Sequence, residues 1–195
     1  MGLYEHLAPV YDSIFPVSEA ALAFIEGLGR TNLPGRNLVD LGSATGGHAF
    51  ALLERGWKVR GIELSPELLA IARQKRAENG ALVDFIEADM RDLNLYLGAG
   101  SVDLFLCLGN TLPHLGGLEE IGSFFEKARS ALSIGGKIVL QIVNFEVAGP
   151  GYVFPTARTE RYRFERSYQA LSGGKLAFDT LIDLGEKGSF SDRTE

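Results

Sequence analysis

The chain has 195 residues, 46% of them hydrophobic and 23% charged, enough for one domain with a substantial core and short of what two would need. No apolar run reaches the roughly eighteen residues of a membrane span, no basic segment precedes an apolar core as in a signal peptide, and a net charge of −6 without a basic block argues against a nucleic-acid footprint. Cys107, the single cysteine, excludes an internal disulfide and reads as a buried, inert thiol, so a cytoplasmic location is expected; the three histidines show no HxH or HExxH spacing, and no metal is expected.

In chain order, residues 18–28 form an amphipathic pattern, with Ser18 as N-cap. Residues 37–41 read as a buried strand, 47–54 as a helix stopped by Gly56, and 57–63 as a second strand. Ser65-Pro66 is a helix start, cap followed by proline at the first turn, and the helix runs to just before Gly80. Within it Arg73, Lys75 and Arg76 read as a solvated basic face. Residues 82–88 and 101–108 are further strands, 118–132 a helix closed by Gly135-Gly136, and 137–144 a fifth strand. Strands alternating with helices predict a parallel sheet covered on both faces. The near-continuous apolar runs VDLFLCL and IVLQIV agree, since such strands are buried on both sides. Residues 145–160 carry Gly149, Pro150, Gly151 and Pro155 and will not hold a helix. Beyond them Tyr162, Phe164 and Tyr168, then Leu176, Phe178, Thr180, Ile182 and Leu184, alternate with polar residues. With Ser172-Gly173-Gly174 between them they predict an antiparallel hairpin, followed by a polar tail.

Ligands in open α/β sheets bind at the carboxyl ends of the strands. The loop after the first strand has small residues, Gly42, Ala44 and Gly46, where a ligand would approach the backbone, and the next helix aims its positive end there. Glu63 ends the second strand, where a carboxylate can take both hydroxyls of a ribose. Asp89 ends the third, within reach of an adenine amine, with Met90 beside it for the ring face. Each acid alone is as easily a cap or a surface charge; three at consecutive strand ends point to a nucleoside.

Two nucleotides compete. Gly42-x-Ala44-x-x-Gly47 with Glu63 fits the permissive dinucleotide fingerprint, which would make an NAD(P)-dependent oxidoreductase. Asp40, just before the loop, would repel a pyrophosphate and suits an ammonium-bearing ligand instead.

The segments DLGSATG, GIELSPELLAIAR, FIEADMRDL and DLFLCLGNTLPHL, in this order, resemble the class I S-adenosylmethionine-dependent methyltransferases over roughly residues 1–145. LCLGNTLPHL, QIVNF and the opening YEHLAPVYD are similar to the glycine/sarcosine N-methyltransferase-like branch. The resemblance implies S-adenosylmethionine as cofactor, with S-adenosylhomocysteine as product. Asp40, Gly42 and the loop through Ala44 to Gly46 would hold the methionine part, Glu63 with Leu64 the ribose, and Asp89 with Met90 the adenine. Leu108, Gly109 and Asn110 would pass near the sulfonium, and Tyr4 and Tyr11 would lie over the site. The family more often has glycine where Ala44 stands, and a methyl is small enough for binding to survive. His114, the one histidine near a strand-end loop, is the candidate base, a turn-capping role being the alternative. Asn144, ending the fifth strand, would reach an acceptor. An acceptor's carboxylate would want an arginine, and Arg158, Arg161, Arg163 and Arg166 are available.

The expected fold is α/β, a doubly wound, mostly parallel Rossmann-like methyltransferase sheet with an added antiparallel hairpin near the C-terminus. It forms one domain: an N-terminal helical segment (1–36), a cofactor-binding core (37–145) and an acceptor-side hairpin (146–195). The resemblance continues past such a hairpin with a helix and a terminal strand pair, so either the chain is a truncated piece, the favoured reading, or the hairpin 162–184 substitutes for that pair; truncation would expose a sheet edge and favour a homo-oligomer. The expected function is methyl transfer to a small-molecule acceptor, an amine nitrogen among the candidates, by in-line displacement. A non-catalytic S-adenosylmethionine-binding protein is the second reading.

Overall fold

The computed structural model describes residues 3–31, 33–172 and 176–194. The chain divides into two compact units, Pro16–Ile142 and the pair of segments Met1–Phe15 and Val143–Glu195.

In the larger unit five strands form one parallel sheet: β1 (Asn37–Leu41), β2 (Lys58–Glu63), β3 (Asp84–Glu87), β4 (Val102–Cys107) and β5 (Leu132–Leu140), in the order β3-β2-β1-β4-β5. Strand alternation sends Leu38, Leu104 and Leu106 to one face and Val39, Leu41, Phe105 and Cys107 to the other. Against the first face pack α3 (Glu19–Thr31), α4 (Gly47–Glu54) and α5 (Pro66–Asn79), through Leu22, Ile25, Leu52 and Leu69. Against the second pack α6 (Leu93–Tyr96) and α7 (Leu118–Ala131), through Leu93, Phe124 and Ala128. Each such side chain fully buried is worth about 1.5–3 kcal/mol, and the doubly covered β4 is buried at every position. This is the expected doubly wound sheet. Its strand order turns back at β1 and β4, so the crevice for a ligand opens above their carboxyl ends.

The helix ends follow their local chemistry. The Ser65 hydroxyl accepts the Leu68 N–H at 3.3 Å, Pro66 stands at the first turn, and Gly80 closes α5 in the left-handed conformation at φ 61°. The other end of the sheet is tied by Asp103, whose carboxylate accepts the Asn37 backbone N–H at 2.9 Å, the Asn37 side-chain amide at 3.0 Å and the Ser133 hydroxyl at 2.6 Å.

The expected helix 18–28 runs on to Thr31 and the expected strand 82–88 shortens to Asp84–Glu87, but the largest shift is at the fifth strand. α7 ends at Ala131 and β5 begins at once, at Leu132, instead of after Gly135-Gly136. Leu132 pairs with Val102 and Lys137 with Leu104, so a bulge absorbs the glycines within the strand. The strand therefore ends at Leu140, and Asn144 is not its last residue. It lies in a turn of the other unit, its Oδ1 accepting the Glu146 N–H at 3.0 Å.

The smaller unit contains α1 (Leu3–Leu7), α2 (Tyr11–Ile14) and an antiparallel sheet of β6 (Ala157–Arg158), β7 (Arg163–Ala170), β8 (Leu176–Asp183) and β9 (Ser189–Thr194), in that order. The expected hairpin is β7–β8, with Tyr168 opposite Phe178 and Phe164 opposite Ile182. Gly173 and Gly174 of its turn lie outside the described residues. The tail read as polar adds β9. Leu7, Ile14, Tyr162, Phe164 and Ile182 form the core of this unit.

Candidate functional site

The loop from β1 to α4 is tightly wound: Gly42, Ala44 and Gly46 have φ of 68°, 48° and 81°. Protein neighbours, as well as any ligand, require the two glycines. A Cβ on Gly42 would stand 2.7 Å from Thr111 Cγ2, and one on Gly46 would stand 2.6 Å from Phe85 Cζ. Gly46 also caps α4 in the left-handed conformation. Ala44 is the one L-residue in the loop at positive φ, a strained conformation for a side chain.

Glu63 holds that strained turn. One carboxylate oxygen accepts the Ala44 N–H at 2.8 Å, and the other accepts the Ser65 N–H at 2.8 Å. The carboxylate therefore bridges the loop after β1 and the cap of α5, and it is 93% buried by its 7% exposure. Burial pushes its pKa up, while the N–H groups of Ser65, Ala44 and Leu64 pull it back. A carboxylate offers about four lone-pair sites, so Glu63 keeps capacity for a ligand's hydroxyls. Leu64 beside it is exposed.

Asp40 is buried on β1, in register with Gly61 of β2 and Leu106 of β4. Burial, and next the charge of Glu63, push its pKa up to about 7. No ion pair joins Asp40 or Glu63 to a basic group among the described residues. Two buried carboxylates without a cation are costly. The site thus fits a positively charged ligand and disfavours a pyrophosphate.

Asp89 caps the turn Met90–Asp92, accepting the Arg91 N–H at 2.8 Å, and its other oxygen takes Arg91 Nε and Nη2 at 2.9 and 2.6 Å. The hydrogen bonds from Arg91 hold its pKa below the ordinary carboxylate value. Met90 is half-buried against the core of the second sheet face. Arg91 as the partner of Asp89 was not foreseen; its place two residues on, in EADMRD, was the available signal.

After β4, Leu108 packs on the first core, and Gly109 and Asn110 both have positive φ, 67° and 68°. Gln141 pins them: its side-chain oxygen accepts the Gly109 N–H at 3.0 Å and its backbone oxygen the Asn110 N–H at 3.2 Å. Sequence reasoning missed both Gln141 and Thr111, whose hydroxyl donates to the Leu108 carbonyl at 2.8 Å. Both act by geometry that no motif displays. His114 ends the turn Leu112–His114 on the solvent side, and desolvation of its ring lowers its pKa. Tyr11 belongs to the smaller unit, where its ring lies 4.9 Å from that of Phe15. The larger unit thus gathers Asp40, Gly42, Ala44, Gly46 and Glu63 around one loop. Asp89 with Met90, and Leu108 with Asn110, follow the neighbouring strands β3 and β4.

Comparison with known proteins places the chain in a class. The Methyltransferase domain family matches residues 38–136, just over half of the chain. The glycine/sarcosine N-methyltransferase of Halorhodospira halochloris is 30% identical over 109 residues, 56% of this chain and 40% of that protein. An S-adenosylmethionine-dependent methyltransferase from Clostridium acetobutylicum superposes with a TM-score of 0.76 at 17% identity, covering 99% of this chain and 80% of that one. The amino pentose methyltransferase CalS10 of Micromonospora echinaspora, solved with S-adenosylmethionine bound, gives 0.68 at 25% identity, covering 95% and 79%. The chain belongs to the Methyltransferase domain family, of the class I S-adenosylmethionine-dependent type. It spans less than half the length of the glycine/sarcosine relative it matches. Among the described residues no helix is long and apolar enough to cross a membrane.

Proposed function

We propose that the chain binds S-adenosylmethionine at the carboxyl ends of β1, β2 and β3 and transfers its methyl group to a small-molecule acceptor, with an amine nitrogen the first acceptor atom to test. The observation that carries this reading is the pair of buried carboxylates, Asp40 and Glu63, without a basic partner among the described residues. S-adenosylmethionine, when bound, supplies a methyl carbon made electrophilic by its sulfonium.

The chain's own part is binding and alignment. Asp40 accepts from the ligand's ammonium group. Glu63, already fixed by two backbone N–H groups, accepts from the ribose hydroxyls. Asp89 and Met90 take the adenine, with Asp89 kept ionised by Arg91. The Gln141 contacts hold Leu108, Gly109 and Asn110 in a single loop conformation. Orientation of this kind accounts for most of the acceleration such a transfer needs. An amine must be neutral to attack; His114, whose pKa is lowered by desolvation, is the candidate to take its proton, and Asn110 is the other polar candidate for the acceptor in the larger unit.

The test is calorimetric titration of the chain with S-adenosylhomocysteine, NAD and NADP in turn. Binding of the thioether alone supports the reading and leads to an acceptor screen with small amines. Binding of a dinucleotide in its place would overturn it.

A further inference from the structure

Arg166 differs from the other arginines of the smaller unit. Arg163 reaches Glu165 at 3.6 Å, Arg193 reaches Asp179 at 2.5 Å, and Arg158 and Arg161 are exposed to water. Arg166 is half-buried in the middle of β7. Its guanidinium carbon lies 5.2 Å from the ring centre of Phe15, 4.8 Å from that of Phe154 and 5.5 Å from that of Phe164. It makes no ion pair among the described residues. Its Nε is sealed from water and has no acceptor among the described residues. The acid in its cross-strand row is Asp192, exposed on β9, with Thr180 of β8 between them.

Aromatic rings attract a guanidinium through their faces, but they offer no lone pair to the N–H groups in its plane. A half-buried cation with an orphan donor is therefore under-compensated, and folded proteins pair such charges. An arginine kept only for packing would extend its head to water or to a carboxylate, and here Nε does neither. Burial lowers the pKa of Arg166 while Tyr168 and Tyr152 pull it back, and arginine stays charged at neutral pH.

We infer that Arg166 anchors a carboxylate-binding site in the smaller unit, walled by Phe15, Phe154 and Phe164. The fork of a guanidinium matches a planar carboxylate, two parallel bonds to two oxygens. One cation balances one carboxylate, whereas a phosphate dianion would retain an excess charge against apolar walls. The walls suit the hydrocarbon part of an organic acid. The site goes beyond the methyl-transfer reading and stands or falls separately from it.

The experiment is a titration of the whole, arginine-labelled chain followed through its arginine Nε–H nuclear magnetic resonance signals. Sodium benzoate is the probe, with benzamide and inorganic phosphate as the neutral and dianionic controls. The expected result is a saturable shift of one signal with benzoate, a signal missing in Arg166→Gln, and no comparable shift with benzamide or phosphate. Arg166→Gln should weaken benzoate binding at least roughly tenfold, the cost of losing a charged hydrogen-bonded partner, and Arg161→Gln should not. If Arg166→Gln fails to fold, Arg166→Lys keeps the charge without the fork, and weaker binding by that variant is again expected. No saturable shift, an equal response to benzamide or phosphate, or benzoate binding unchanged in the variants would overturn the inference. Affinity for S-adenosylhomocysteine, measured on the same samples, separates this outcome from the fate of the methyl-transfer reading.

Discussion

Asp40 carries the largest electrostatic cost of the candidate site, because burial raises its pKa to about 7 and Glu63 adds to the shift. An acid raised in the folded state binds a proton that the unfolded chain has already lost. Folding stability therefore declines as pH rises from the unfolded pKa, near 4, through 7. A cationic ligand reverses that preference by favouring the ionised form. Affinity for S-adenosylhomocysteine is thus expected to fall as pH is lowered through 7, and Asp40→Asn should both flatten this dependence and weaken binding at pH 8. The same variant should be more stable than the parent at pH 8, by something like 1–3 kcal/mol. Calorimetry at pH 6, 7 and 8, with urea unfolding at pH 8, checks both; an affinity in Asp40→Asn that keeps the parent's pH profile would remove Asp40 from the site. Glu63 behaves differently, since Ala44 and Ser65 already spend their N–H groups on it. Glu63→Ala should weaken S-adenosylhomocysteine binding by about 1–3 kcal/mol and also lower stability without any ligand, because two donors lose their acceptor. Loss of binding with stability unchanged would mean that the carboxylate does not hold the loop.

At the scale of the elements, the two ends of the parallel sheet separate stability from binding. Asp103 ties β1, β4 and the start of β5 together at their amino ends, whereas the candidate site lies at the carboxyl ends. Asp103→Ala removes a buried carboxylate that accepts from Asn37 and Ser133 and should cost about 1–2 kcal/mol in urea unfolding, with S-adenosylhomocysteine affinity of the folded protein unchanged; a matching loss of affinity would show that the ends are coupled. The elements that the sequence displays clearly are those whose signal is local. Doubly buried strands read as apolar runs, as β4 does, and α5 is bracketed by Ser65-Pro66 and Gly80. The start of β5 was not visible, because a glycine pair reads as a helix stop when it in fact lies within a bulged strand. β9 was not visible either: SFSDRT is an exposed edge with a single partner strand, so burial imposes no alternation on it. In the site, the three acids could be read because strand ends are predictable. The hold of Arg91 on Asp89 and of Gln141 on the loop after β4 depends on rotamers and on long-range contact, which spacing does not encode.

Across the whole molecule, chain connectivity makes the two units unequal in how they can form. The unit Pro16–Ile142 is one continuous segment. It contains every strand of the parallel sheet, both cores that cover it, and Asp40, Glu63 and Asp89. The other unit is built from both ends of the chain, and its core joins Leu7 and Ile14 from the first segment to Tyr162, Phe164 and Ile182 from the last. A fragment of residues 16–142 should therefore fold cooperatively by itself and bind S-adenosylhomocysteine within about tenfold of the full chain, since no proposed cofactor contact is removed. A fragment of residues 143–195 lacks Leu7 and Ile14 and leaves Phe164 and Ile182 uncovered, so it should remain unfolded. At 53 residues, read from its bounds, it also falls in the size range where a single core is marginal. Far-ultraviolet circular dichroism with thermal unfolding, followed by calorimetry on whichever fragment folds, tests this directly. Folding of 16–142 with no binding would assign part of the cofactor site to the smaller unit, whereas failure of 16–142 to fold would make the two units a single cooperative structure despite their separate cores.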